Sequence, residues 1–328
     1  MYEEVYAANC SFNYKTWPAN CGFCCMVRTI LNGLLVLGTL GNGVSFTIFM
    51  RPALRDVVTT LYYRALVLIN LAMLYFGLIP LGVLMWAHDI HQGAARALCI
   101  TMDASLTFLT YSEAWTMVVL CSERLFGVLY PHRAMIIWTK RRAFLSLAMV
   151  AVSCAIVTIP EVLFVSSSCI TKDIPVLPAS LRLVFHVILP LAFLVICLFT
   201  IIIGVYRSTK SLQSNSTTRT LQTSMAKILL SLTLTYLLFS VPSTIKVFLY
   251  SFMDSSSLDD STSYLIEVLV NFMFFANCCI KFIIFRSICP RFSQQCNIFC
   301  GLEKPRERNM SVVSNANYST LLEKSLSR

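Results

Sequence analysis

The chain has 328 residues, 57% of them hydrophobic and only 13% charged, with 26 Lys and Arg against 16 Asp and Glu. Soluble domains carry about 25% charged residues, so a water-soluble globule could not cover itself with this polar surface, which excludes an ordinary cytosolic enzyme and a disordered chain. The net charge of +10 belongs to membrane loops rather than to a nucleic-acid site, because no soluble basic domain is present to hold one.

In chain order, the opening segment 1–26 has no basic region followed by an apolar run, so no cleavable leader is expected. Seven apolar stretches follow, at 27–50, 59–86, 97–124, 143–165, 179–206, 226–251 and 263–286. Each reaches the roughly 20 residues that a helix needs to cross a bilayer. Helices are required, since lipid offers no partner to unpaired backbone groups. Segment 97–124 is the least hydrophobic and is expected to be surrounded by the others. Pro80, Pro160, Pro190 and Pro242 fall inside spans, where neighbouring helices can re-satisfy a freed carbonyl. Beyond the spans, 287–300 is a short amphipathic segment and 301–328 a polar tail.

Basic residues set the orientation. Arg51, Arg55, Arg133, Lys140, Arg141, Arg142, Arg207, Lys210, Arg219, Arg286 and Arg291 gather on one set of connections; the opposite set has few. The positive-inside rule then puts the N-terminus outside and the C-terminus in the cytosol. Asn9 opens an Asn-Cys-Ser sequon on the outer side, which makes it a candidate glycosylation acceptor.

Soluble-enzyme signatures are missing. There is no Gly-rich phosphate loop, no His-Glu-x-x-His and no Gly-x-Ser-x-Gly. Cys21-Gly-Phe-Cys24 lacks a strand–helix context, so a short outer disulfide, with Cys10 as a further candidate, is the better reading than a redox motif. With four His and none paired at metal-ligand spacing, neither a metal site nor a cofactor is expected.

Ionisable residues inside the spans are costly and mark function. Glu123-Arg124-Leu125, with Pro131-His132 following, resembles the Asp/Glu-Arg-Tyr…Pro signature of rhodopsin-like G-protein-coupled receptors. Gly41-Asn42, Pro190 and Phe239-Ser-Val-Pro242 are similar to that family's first-, fifth- and sixth-helix motifs. Asn277-Cys-Cys-Ile-Lys281-Phe-Ile-Ile-Phe285 resembles the Asn-Ser-Ser-x-Asn-Phe-x-x-Tyr variant of many invertebrate neuropeptide receptors, including FMRFamide-like ones. The resemblance implies a disulfide between Cys99 and Cys169, a G-protein contact at Glu123, Arg124 and Pro131, and palmitoylation candidates at Cys296 and Cys300 after Phe292.

The departures are specific. On the family's pattern the acidic residue of the second helix is Tyr75, and Lys281, Phe282 and Phe285 replace the seventh-helix Asn, Pro and Tyr. The family's central sodium site cannot assemble in its usual form. Glu113 lies eleven residues before Arg124, on nearly the same face, and Lys281 sits at comparable depth. The expectation is that the Lys281 ammonium stands in for the ion and pairs with Glu113, with Asn277 and Tyr75 supplying hydrogen bonds, either as a structural ion pair or as a hinge.

Asp103, Arg182, His186, Lys246 and Glu267 lie near the outer ends of their spans. They either line a mixed-charge cavity suited to a polar or peptide ligand or sit solvated at the interface. Leu106 occupies the place where amine receptors carry Asp, which argues against a biogenic amine.

The sequence thus predicts an all-α, seven-transmembrane helix bundle with a short amphipathic eighth helix. Its domains are an extracellular N-terminus 1–26, the receptor domain 27–286, the amphipathic helix 287–300 and a cytosolic tail 301–328. The expected function is a plasma-membrane receptor without catalytic activity, taking an extracellular ligand, a small peptide favoured, and activating a heterotrimeric G protein. Receptor kinases, arrestin and the lipid bilayer are further expected partners, and nucleic acid is not. A chemosensory receptor for small molecules, or a seven-helix transporter or channel, are the alternatives.

Overall fold

A backbone in hydrocarbon must satisfy its own donors and acceptors, and every described element is a helix. The computed structural model describes residues 21–86, 92–168, 176–210, 216–250 and 260–303. The first two spans are Cys21–Phe49 and Val58–Trp86, joined through a single turn at Pro52–Arg55. The third is Gln92–Leu129, followed by the short helix Pro131–Ile137, and the fourth is Lys140–Ser168. The fifth runs Val176–Arg182, a π-helical turn Leu183–Ile188, and Leu189–Lys210. The sixth runs Ser216–Thr235, a π-helical turn Tyr236–Ser240, and Val241–Tyr250. The seventh is Asp260–Ile288, and the terminal helix is Pro290–Phe299.

The sequence places the spans, but their ends differ from the apolar limits. The first helix already begins at Cys21, inside the segment read as the outer N-terminus, and the third extends to Leu129. Helical hydrogen bonding continues past the hydrocarbon wherever the chain holds no breaker, so polarity marks the bilayer edge rather than the helix end. On length and composition six of the spans qualify as membrane-crossing, and the third does not. That span packs against the second, fourth, fifth and sixth, and a helix shielded from lipid can carry Thr107, Ser112, Glu113, Thr116 and Glu123 in buried positions.

Two prolines shape the bundle's middle. Pro190 has no N–H to give the carbonyl four residues back, which is that of His186, and the π turn Leu183–Ile188 lies directly before it. The Tyr236 hydroxyl donates to that His186 carbonyl from the sixth span. Pro242 likewise follows the π turn Tyr236–Ser240. The two widened turns are therefore tied to one another by the Tyr236 hydroxyl at the His186 carbonyl.

Small residues let the helices approach closely. A Cβ on Gly77 would come within 2.6 Å of Phe275, bringing the second span against the seventh. A Cβ on Gly204 would come within 2.6 Å of Val128 Cγ1, which keeps the fifth span against the end of the third. Near that same end, Phe49 packs at ring distances of 5.6 Å on Tyr63, 5.1 Å on Phe285 and 4.9 Å on Phe292. Phe292 is fully buried, so the terminal helix is fastened by an apolar face, and the Arg286 guanidinium donates to Ser293 Oγ and Asn297 Oδ1 across the same junction.

Candidate functional site

Charged side chains inside the bundle form three groups at three depths along the third span. The middle group is the most enclosed: Glu113 and Lys281 are 0% and 1% exposed. The Lys281 ammonium pairs with Glu113 Oε1 and donates to Asn70 Oδ1 at 2.7 Å. Asn277 Nδ2 donates to Glu113 Oε1 at 3.1 Å and to Ser240 Oγ at 2.9 Å. One network thus joins the second, third, sixth and seventh spans. A buried charge is tolerable only when paired and hydrogen-bonded; here the two charges meet through Glu113 Oε1, while Glu113 Oε2, Asn70 Nδ2 and Asn277 Oδ1 have no partner among the described residues.

Tyr75 is not part of this network and is corrected. It is 43% exposed, and its hydroxyl lies 3.4 Å from Thr39 Oγ1 on the first span. The second span contributes Asn70, five residues earlier, which is about 140° away around a helix. A tyrosine at position 75 therefore points outward while Asn70, fully buried, faces Lys281.

Nearer the Cys99 end, Arg182 holds two carboxylates. Its Nε donates to Glu161 Oε2 at 3.1 Å, and its Nη2 to Asp103 Oδ2 at 3.3 Å and to Thr107 Oγ1 at 2.7 Å. The Tyr111 hydroxyl donates to the other Glu161 oxygen. Lys246 Nζ donates to Glu267 Oε2 at 2.6 Å, and Asn271 Nδ2 to Glu267 Oε1 at 2.7 Å. His186 Nδ1 is hydrogen-bonded to Thr244 Oγ1, and its ring contacts Tyr111 and Tyr236 at centroid distances of 6.0 and 5.5 Å. Leu106 instead packs with Met73, Leu74 and Phe275 between the second and seventh spans, so its side chain belongs to the apolar wall rather than to the charged groups.

Glu161 went unnoticed in the sequence although it is 2% exposed and central to this network. The signal was there: a carboxylate directly after Pro160 inside an apolar stretch, where an ionisable residue is costly unless partnered.

At the opposite end, the Arg124 guanidinium grips Glu123 with Nε to Oε2 at 2.7 Å and Nη2 to Oε1 at 2.9 Å. Thr59 Oγ1 donates to the same carboxylate at 3.3 Å. Arg124 remains 24% exposed while Glu123 is 9% exposed, so the acid is held by the bundle and the base faces its end. Close by, Lys140 Nζ meets Asp56 at 2.6 Å and holds that carboxyl below the usual carboxylate range.

These features place an arginine–carboxylate lock at one end of a helical bundle, an ion pair in its middle and a mixed-charge network at the other end. The description "7 transmembrane receptor (rhodopsin family)" matches residues 41–285. The chain belongs to that family. No curated protein matches it. The remaining site residues of the receptor fall as follows. Cys99 is disulfide-bonded, while Cys169 and Asn9 lie outside the described residues, as does the side chain of Pro131, whose backbone opens the helix Pro131–Ile137. The two palmitoylation candidates separate: Cys300 is exposed and Cys296 buried. Cys296 packs into the apolar cluster that holds Phe292, and burial pushes its thiol up.

Proposed function

We propose that this receptor sits in the plasma membrane with its N-terminus outside, binds a small peptide at the Cys99 end and activates a heterotrimeric G protein at the Arg124 end. The observation that carries the reading is the Glu123–Arg124 lock. Its guanidinium is partly exposed, always charged and able to exchange Glu123 for another acceptor when the ends of the fifth and sixth spans separate. The basic connections on that side, with Arg55, Arg133, Arg141 and Arg142, support the orientation. A peptide is favoured because the charged groups at the other end span the third to seventh helices, a wider constellation than a small amine would touch. The ligand acts by differential affinity for two bundle arrangements.

The test is a peptide-library screen in cells carrying a promiscuous G-protein reporter, with Arg124→Ala in parallel. A peptide response that Arg124→Ala abolishes at equal surface expression supports the reading. A response that survives the substitution, or an ionic current without G protein, overturns it.

A further inference from the structure

Arg64 lies six residues past Val58, inside the apolar stretch of the second span, where an ionisable side chain is costly without a partner. It forms no ion pair among the described residues. Its Nε donates to the Thr60 carbonyl of its own helix at 3.4 Å, and its Nη1 to Met50 Sδ at 3.2 Å. One long carbonyl bond and a thioether leave most of a guanidinium's five donors open. Asp56 acts electrostatically on both Arg64 and Arg55, yet Lys140 holds that carboxylate at 2.6 Å and Arg55 comes no nearer than 4.0 Å. Two arginines thus stand together without a carboxylate of their own.

A groove leads away from them between the first and second spans. At one end Arg64 touches Met50; at the other, Thr39 Oγ1 donates to the Tyr75 hydroxyl at 3.4 Å. Eleven residues separate the two ends on each helix, which is three turns and about 20°, so each set shares one face. Between them, a side chain at Gly43 would meet nothing within 4 Å, and Thr47 turns its hydroxyl back onto the Gly43 carbonyl at 2.9 Å. Met50, Leu68 and Tyr75 are all exposed, so the groove opens outward from the bundle. It is about 16 Å long, the depth of one leaflet in a hydrocarbon core roughly 30 Å thick.

We propose that an anionic phospholipid of the leaflet at the Arg124 end occupies this groove, its phosphate on Arg64 and Arg55 and one acyl chain along Gly43 toward Tyr75. A guanidinium fork matches phosphate oxygens, and two arginines without a carboxylate repel the ammonium of a zwitterionic headgroup. The outward Tyr75, which the central network does not use, closes the far end of the acyl path with Thr39.

The test uses the full-length chain in phosphatidylcholine nanodiscs. These receive, at equal mole fraction, phosphatidylglycerol or phosphatidylcholine carrying a diazirine near the end of one acyl chain. Adducts are mapped by mass spectrometry after photolysis, and each yield is divided by that on the fifth span, 189–204. Phosphatidylglycerol should mark 39–50 and 64–75 at least about fivefold more than phosphatidylcholine, the preference expected of one arginine at a membrane surface. Arg55→Gln with Arg64→Gln should abolish the preference, and Gly43→Leu should remove the adducts near Thr39 and Tyr75. Equal yields for the two lipids on the parent chain, as when Glu307 or Glu323 of the tail already fills the arginines, would overturn the proposal. So would a preference that survives the double neutralisation, or adducts that Gly43→Leu leaves unchanged. The parent comparison requires no variant to fold, and neither peptide nor G protein enters it, so its outcome is independent of the receptor assay.

Discussion

Lys281 and Glu113 offer a measurement of what the buried pair contributes. Glu113→Gln leaves an ammonium, 1% exposed, with Asn70 Oδ1 as its remaining acceptor. Lys281→Met leaves a carboxylate, fully enclosed, with only Asn277 Nδ2 donating to it. Removing one member of a buried ion pair costs about 3–5 kcal/mol, because the survivor is an uncompensated charge. In large domains about 1 kcal/mol shifts the melting temperature by roughly 2–4 °C, so each single variant should melt about 6–20 °C below the parent. The double variant removes both charges and places Met in the space of the lysine stem, so most of the loss should return. The assay is thermal unfolding of detergent-solubilised full-length receptor, followed by the fraction that stays monodisperse after heating. Damage in the double variant equal to the sum of the singles, within about 0.5 kcal/mol, would refute the coupling. The same preparation tests the ion-replacement idea: exchanging sodium for choline at constant ionic strength should leave the parent melting temperature unchanged, and a sodium-specific shift would refute it.

Four further outcomes are expected. Gly204→Val drives a side chain into Val128 and should raise ligand-independent reporter signal by parting the fifth span from the third; Val128→Ala in the same chain should lower it again, and an unchanged baseline would sink the argument. Tyr236→Phe removes the buried hydroxyl that donates to the His186 carbonyl, at a cost of about 0.5–1.5 kcal/mol, read as a drop of a few degrees in the same thermal assay. Glu123→Gln weakens the hold on Arg124 and should increase basal signalling at matched surface expression; a silent variant counts against the lock. Cys300→Ser should abolish palmitate incorporation while Cys296→Ser leaves it intact, following their exposed and buried thiols; the reverse pattern would show that the terminal helix turns over.

Six of the spans were legible because a bilayer imposes one length and one composition on each of them, the third was legible as the least hydrophobic stretch among them, and the ends escaped. The sequence predicts the terminal helix over 287–300, and it spans Pro290–Phe299, since the proline that starts it and the glycine past its end are local signals. Glu113 and Lys281 could be paired from sequence because an ionisable residue deep in an apolar stretch needs an explanation, and two at one depth explain each other.

Facing is a different quantity, and there the sequence misled. Counting along the second span to the place of an expected acid reaches Tyr75, yet five residues change the direction of a side chain by about 140°. Only the packed neighbours reveal that Asn70 points inward. The same limit applies to Asp103 and Arg182, 79 residues apart, each readable as an interfacial charge until the third and fifth spans are set side by side. Glu161 then completes them from the fourth span. The carboxylate that holds Arg182 from the buried side is thus the one with the least exposure and the fewest local cues. Once Glu161 is committed to Tyr111 and Arg182, the remaining reach of the guanidinium goes to Asp103 and Thr107, and that shared arginine is what sets the third, fourth and fifth spans against one another.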